Sequence, residues 1–267
     1  HRIISTSDNN NRKQNKFKTF HLRPFESTRC VVKLAEDPKT MKSRQNADVL
    51  PSMIELKGKK VADIGCGDGS LTRLMTRHGA DVIGVEPSQE QLERARAAKP
   101  AGNEIYTEGQ GEDLSFKDNK LDLVVFFNSL HHIPIDSQDK ALSEAARVLK
   151  PGGMVYISEP MAEGEHFELM KPVHDETSVR NAACKAIGKA AGHGLTPETE
   201  TTYLHQSLYP DYDTFRNRIQ AINPGLDDDF DKLEKTLKNN FDSLGHKTEE
   251  GTCFGQPMQV NLLVKTG

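Results

Sequence analysis

The chain has 267 residues, 35% of them hydrophobic, and a formal net charge of -4. That length holds one large domain with an insertion, and the charge excludes a global basic footprint for nucleic acid. No apolar run approaches the length of a membrane span and no basic start precedes an apolar core, so no membrane helix and no standard secretory leader are expected.

Four cysteines, Cys30, Cys66, Cys184 and Cys253, stand far apart, without a C-x-x-C pair or a nearby pair of histidines. This pattern predicts neither a metal site nor a disulfide framework, and fits a reducing, cytoplasmic environment.

Residues 1–46 form a polar arm in which Lys and Arg outnumber acids. It reads either as a solvated extension or as a cover for a ligand cleft or an anionic partner. Ala47 to Ile54 reads as a short helix, and Lys60 to Ile64 as a buried strand. After a glycine-rich loop, Ser70 opens a helix with Leu71, Leu74 and Met75 at helical spacing, and Gly79 ends it. Asp81 to Glu86 is a second strand. Ser88 and Gln91 have the spacing of a helix-capping pair, and the helix they open runs to about Ala98. Glu104 to Thr107 reads as a third strand, and the apolar run Leu121 to Asn128 as a central one. Ser137 to Leu149 is helical, Lys150-Pro151-Gly152-Gly153 stops it, and Met154 to Ser158 is a fifth strand. This alternation predicts an α/β, doubly wound fold with a mostly parallel sheet and helices on both faces.

Beyond Glu159 the regularity changes. Glu165 to about Ala191 reads as a long or broken helical stretch, and Thr201 to Tyr209 as a strand. Tyr212 to Ile222 and Asp227 to Leu244 are helical, and Met258 to Lys265 is a closing strand. The expected organisation is the arm at 1–46, a core at 47–160, a helical lid region with one strand at 161–245, and the closing strand of the core sheet at 246–267.

The loop Gly65-Cys66-Gly67-Asp68-Gly69 differs from the G-x-G-x-x-G of dinucleotide sites, because Ser70 stands where the third glycine would be. Its glycines let the backbone approach a ligand closely. The flanking Asp63 and Asp68 would repel a pyrophosphate and suit a cationic ligand. Glu86, at the end of the second strand, is placed to accept from a ribose diol. S-adenosylmethionine, with a sulfonium, an ammonium and a ribose, has the required chemistry.

Five segments occur in order: D-I-G-C-G-D-G, G-V-E-P-S, G-Q-G-E-D-L-S-F, the apolar strand into N-S-L-H-H-I, and R-V-L-K-P-G-G. Across residues 59 to 159 the chain therefore resembles the Rossmann-like (class I) S-adenosylmethionine-dependent methyltransferases of the small-molecule subgroup with a type 11-like domain. The resemblance implies a seven-stranded sheet, S-adenosyl-L-methionine as cofactor and S-adenosyl-L-homocysteine as product. It implies that Asp63 orients the ammonium, that Gly65, Cys66 and Gly67 offer backbone groups to the methionine part, and that Glu86 holds the ribose. Pro87 packs near the adenine, whose edge is read among Gln110, Gly111 and Glu112. Asn128 borders the transferable methyl. Position 110 departs from the family, which usually has an aspartate there.

Either His131 or His132 is a candidate general base; the alternative is a pair that only lines the cleft. Glu159, His174, Arg180 and Tyr203 are candidate substrate contacts. The expected reaction is in-line methyl transfer to an O or N atom of a small-molecule acceptor by a monomer or homodimer, with no membrane or DNA partner. Amino-group methylation of DNA bases or protein glutamine is disfavoured because N-S-L-H replaces the N-P-P-Y type of signature. Two alternatives are an RNA or protein methyltransferase that uses the basic arm, and a non-catalytic S-adenosylmethionine-binding module.

Overall fold

A computed structural model describes residues 40–267; the expectations for residues 1–39, Cys30 included, lie outside the described residues. Helix α1 (Asn46–Met53) leads into the alternating elements β1 (Lys60–Ile64), α2 (Ser70–Arg77), β2 (Asp81–Glu86), α3 (Gln89–Ala97), β3 (Ile105–Glu108), β4 (Leu121–Phe127), α4 (Ile135–Val148) and β5 (Leu149–Pro160). The C-terminal part holds α5 (Glu165–Met170), α6 (Thr177–Gly188), β6 (Leu195–Tyr209), α7 (Tyr212–Ile222), α8 (Asp227–Leu244), β7 (His246–Thr248) and β8 (Gly251–Lys265).

The strands form a single sheet in the order β3-β2-β1-β4-β5-β8-β6, with β7 paired to β8 off this path. Strands β1 to β5 are mutually parallel, and β8 runs antiparallel to both β5 and β6. The seven-stranded path is as expected, and the three-residue β7 makes the sheet eight-stranded. Among the described residues no helix is long and apolar enough to cross a membrane.

Three differences from the sequence expectation have local causes. Leu149 already pairs with Leu121, and the register then shifts before Leu123 pairs with Met154. The Lys150-Pro151-Gly152-Gly153 segment is thus an irregularity inside β5, with Gly152 at φ 75°, and β5 starts at Leu149 rather than Met154. Strand β6 starts at Leu195, before the expected Thr201, because its exposed polar residues pair along the whole of β8 at the edge of the sheet. The helical stretch from Glu165 breaks after Met170, where Pro172 cannot donate a helical N–H.

One face of the sheet packs Ala62, Ile64, Val124, Phe126, Val155 and Ile157 against Ala141, Leu142 and Ala145 of α4 and Ala183, Ala186 and Ile187 of α6. The other face packs Val61, Leu123, Val125 and Tyr156 against Val49 and Leu50 of α1 and Met75 of α2. A third cluster joins α5, α7 and α8 to Tyr209 and Phe254, at the ends of β6 and β8.

Candidate functional site

Strands β1, β2 and β4 are parallel and in register, so Asp63, Glu86 and Asn128 come to the same carboxyl edge of the sheet. Open α/β sheets bind ligands at this edge. The loop after β1 is folded back onto β2, with the N–H groups of Gly65 and Cys66 both donating to the Val85 carbonyl, at 2.8 and 3.1 Å. Gly65 has φ 70° and packs so tightly that a Cβ there would lie 2.6 Å from the Ser129 Cβ. Gly67 has φ 55°, and a Cβ there would meet nothing within 4 Å. The first glycine serves packing, whereas the second faces open space.

Glu86 holds this loop by its side chain. Its Oε2 accepts from the Gly67 N–H at 2.9 Å, and its Oε1 from the Ser88 N–H at 3.0 Å. Each carboxylate oxygen keeps a further lone pair. Asp63 is buried and accepts from the Thr72 hydroxyl at 2.6 Å. Burial pushes its carboxyl up from 3.8 to about 6, the Thr72 hydrogen bond opposes that rise, and the nearby Glu86 charge adds to it. A cationic ligand would relieve this cost. Cys66 is buried too, and burial, with Asp63 and Glu86 beside it, pushes its thiol far up, so it fills space and is no nucleophile.

Asn128 follows β4 with φ 52°, an unusual conformation for a residue other than glycine. Its N–H donates to the Ser158 carbonyl at 2.8 Å, and its Oδ1 is buried without a partner. Gln110 and Asp113 close a small turn after β3. A Cβ at Gly111, between them, would lie 2.7 Å from Ile133 Cδ1 and 3.1 Å from Ile64 Cγ2. Gly111 therefore packs onto the core and offers only its backbone to a ligand.

Glu159, at the end of β5, lies beneath a 3-10 turn formed by Leu130–His132. One of its oxygens accepts from the N–H groups of Ser129 and Leu130, at 3.1 and 2.9 Å, and the other pairs with His131 Nδ1. Nε2 of His131 faces Glu176 Oε1 at 3.7 Å. The rings of His131 and His132 lie 4.0 Å apart; His131 is buried and His132 exposed.

Of the expected substrate contacts, His174 and Arg180 join this cluster through Glu176. His174 Nε2 lies 3.1 Å from Glu176 Oε1, and Arg180 donates to Glu176 Oε2 and to the Met161 carbonyl. The guanidinium thus holds a carboxylate of its own chain. Despite its burial, Glu176 is held below the usual carboxylate range, first of all by the Arg180 guanidinium. Tyr203 is differently placed from the expectation. It is 1% exposed, packs with α1, and donates its hydroxyl to Asn46 Oδ1 at 2.8 Å. A side chain so enclosed supports the core and does not contact an acceptor. The residue missed as a centre was Glu176, which the sequence shows only as one acid in a polar run.

Residues 62–157 match the family model described as a methyltransferase domain. The chain carries a class I S-adenosylmethionine-dependent methyltransferase domain. An uncharacterised methyltransferase of Synechocystis is 37% identical to this chain over 97 residues, 36% of this chain and 45% of the relative. The ubiquinone biosynthesis O-methyltransferase of Coxiella burnetii is 33% identical over 111 residues, 41% of this chain and 47% of the relative. The chain thus spans less than half the length of these curated relatives. The crystal structure of the YcgJ protein from Bacillus subtilis aligns over 83% of this chain and 98% of its own, with a TM-score of 0.63 and 19% identity. At that identity the likeness is one of fold. S-adenosylmethionine is the cofactor of this methyltransferase fold. The residues fit it, with open space at Gly67, a buried acid at Asp63 and an unpartnered oxygen at Asn128.

Proposed function

We propose that the chain moves a methyl group from S-adenosylmethionine to an O or N atom of a small-molecule acceptor. The observation that carries this reading is Glu86, held by two backbone donors beside the open space at Gly67. When bound, the cofactor supplies a methyl group on a sulfonium, which a nucleophile displaces in line.

The chain's own residues bind and orient. Glu86 uses its remaining lone pairs for the ribose hydroxyls, as a charge-assisted acceptor. Asp63 faces the ammonium, and Gly65, Cys66 and Gly67 border the methionine part. Pro87 packs near the adenine, whose edge is read among Gln110, Gly111 and Glu112. Asn128 Oδ1 borders the methyl. His131 commits Nδ1 to Glu159 and turns Nε2 to Glu176, which leaves the exposed ring of His132 for the acceptor. An O-acceptor is favoured by the likeness to the Coxiella O-methyltransferase. Alignment of nucleophile and sulfonium is the main catalytic demand.

The test is a panel of phenols, polyols, carboxylic acids and amines assayed for S-adenosylhomocysteine release by the full chain. Turnover of a hydroxylated or amino compound is expected. Release with RNA or protein only would overturn the acceptor class.

A further inference from the structure

We propose that His131, His132 and Glu176 form a binding site for a divalent first-row transition cation at the acceptor end of the cleft. One ligand atom from each residue lies within 4.8 Å of the others. Metal bonds of about 2.1 Å place neighbouring ligand atoms roughly 3.0–3.5 Å apart. His131 Nε2 and Glu176 Oε1, at 3.7 Å, are already close to that separation. The His132 ring packs 4.0 Å from that of His131 and reaches solvent on its other side, so its nitrogen completes the set within the same 4.8 Å.

The partners of the ligands are those a metal site requires. Glu159 accepts from His131 Nδ1, which fixes the tautomer and points a neutral Nε2 at the cluster, as a carboxylate does behind a metal-bound imidazole. Glu159 is itself held by two backbone N–H groups. Arg180 engages Glu176 through Oε2, while Oε1 faces His131 Nε2 at 3.7 Å and His174 Nε2 at 3.1 Å, so a cation there takes the place of the His174 contact. With neutral imidazoles, two carboxylates and one guanidinium leave the cluster a net negative charge, which a dication offsets. Two imidazoles and one carboxylate suit zinc or iron better than magnesium or calcium, and three protein ligands leave positions open.

Those positions are for the acceptor, a point that rests on the methyl-transfer reading. A cation there takes an acceptor hydroxyl as ligand and makes its ionisation easier near neutral pH. This favours an oxygen nucleophile over an amine.

The experiment uses the full chain, stripped by a chelator and titrated with Zn2+ against a chromophoric competitor, then with Co2+ followed by its visible d–d spectrum. Zn2+ affinity is expected to fall at least tenfold in His132→Ala and in Glu176→Gln. Glu159→Gln is expected to weaken it about 10–100-fold through the orientation of His131. The Co2+ spectrum should show a low-coordinate site that His132→Ala abolishes. His132 is exposed, so this variant tests the site even if Glu176→Gln fails to fold. Equal Zn2+ affinity in wild type and His132→Ala, or a Co2+ spectrum of the aqueous ion, would overturn the proposal. S-adenosylmethionine titration of the same preparations separates the two readings: cofactor binding without Zn2+ binding removes the cation and leaves methyl transfer standing.

Discussion

Gly67 donates its backbone N–H to Glu86 Oε2 at 2.9 Å, so the carboxylate proposed to hold the ribose also ties down the glycine loop. Glu86→Ala should therefore act on both binding and fold. Charge-assisted hydrogen bonds contribute about 1.5–3 kcal/mol each, so cofactor affinity is expected to drop at least about 100-fold by calorimetry. Thermal denaturation should show a lower Tm without cofactor. Unchanged affinity would remove Glu86 from the site.

Gly65 and Gly67 share a left-handed backbone and are expected to respond differently to alanine. At Gly65 the new Cβ meets Ser129 at 2.6 Å. Steric overpacking and the positive φ together cost about 2–5 kcal/mol, read as a fall in denaturation midpoint. At Gly67 the Cβ meets nothing, and only the φ term of about 1–2 kcal/mol applies. Gly67→Ala should nevertheless lose cofactor binding, since the space it fills is the ligand's. Equal stability losses with intact binding at Gly67 would contradict that assignment.

Asp63 sets a pH dependence. Its carboxyl is raised from 3.8 to about 6, first by burial and then by Glu86, with Thr72 opposing. The folded state therefore holds the proton more tightly than the unfolded one. The resulting stabilisation is complete below 3.8 and is lost as pH rises through about 6. At 1.36 kcal/mol per pKa unit this amounts to roughly 3 kcal/mol. Cofactor-free Asp63→Asn should be more stable than wild type above pH 6, and the difference should shrink on acidification. Cofactor affinity of the wild type should rise through the same range as the acid ionises. A stability difference independent of pH would contradict this.

Tyr203→Phe removes the hydroxyl that donates to Asn46 Oδ1 at 2.8 Å. A loss of about 1 kcal/mol is expected in chemical denaturation, with kcat and KM for the acceptor unchanged. A raised KM would return Tyr203 to the acceptor pocket.

The parts of this fold legible in the sequence are those governed by local pattern. β1 and β2, and the late helices α7 and α8, begin and end at the expected residues, because apolar spacing and turn residues bound them directly. The long β6 was only half visible. Its outer residues are polar and exposed, and pairing with β8 rather than an apolar pattern keeps them extended. The glycine loop and Glu86 could be read from spacing because they are joined by a single β-α-β unit. The cluster around Glu176 could not, since the start of α6 meets the His131–His132 turn only when α6 packs onto the sheet face that bears α4. Tyr203 misled for a related reason: a tyrosine on a strand reads the same whether its hydroxyl meets an acceptor or, as here, Asn46.

The most direct measurement is calorimetric titration of the full chain with S-adenosylmethionine, in wild type and Glu86→Ala. Saturable binding to the wild type that is lost in the variant is the expected result. No binding to a folded wild-type protein would contradict the assignment of the glycine loop and Glu86 as the methyl-donor site, and with it the proposed methyl transfer.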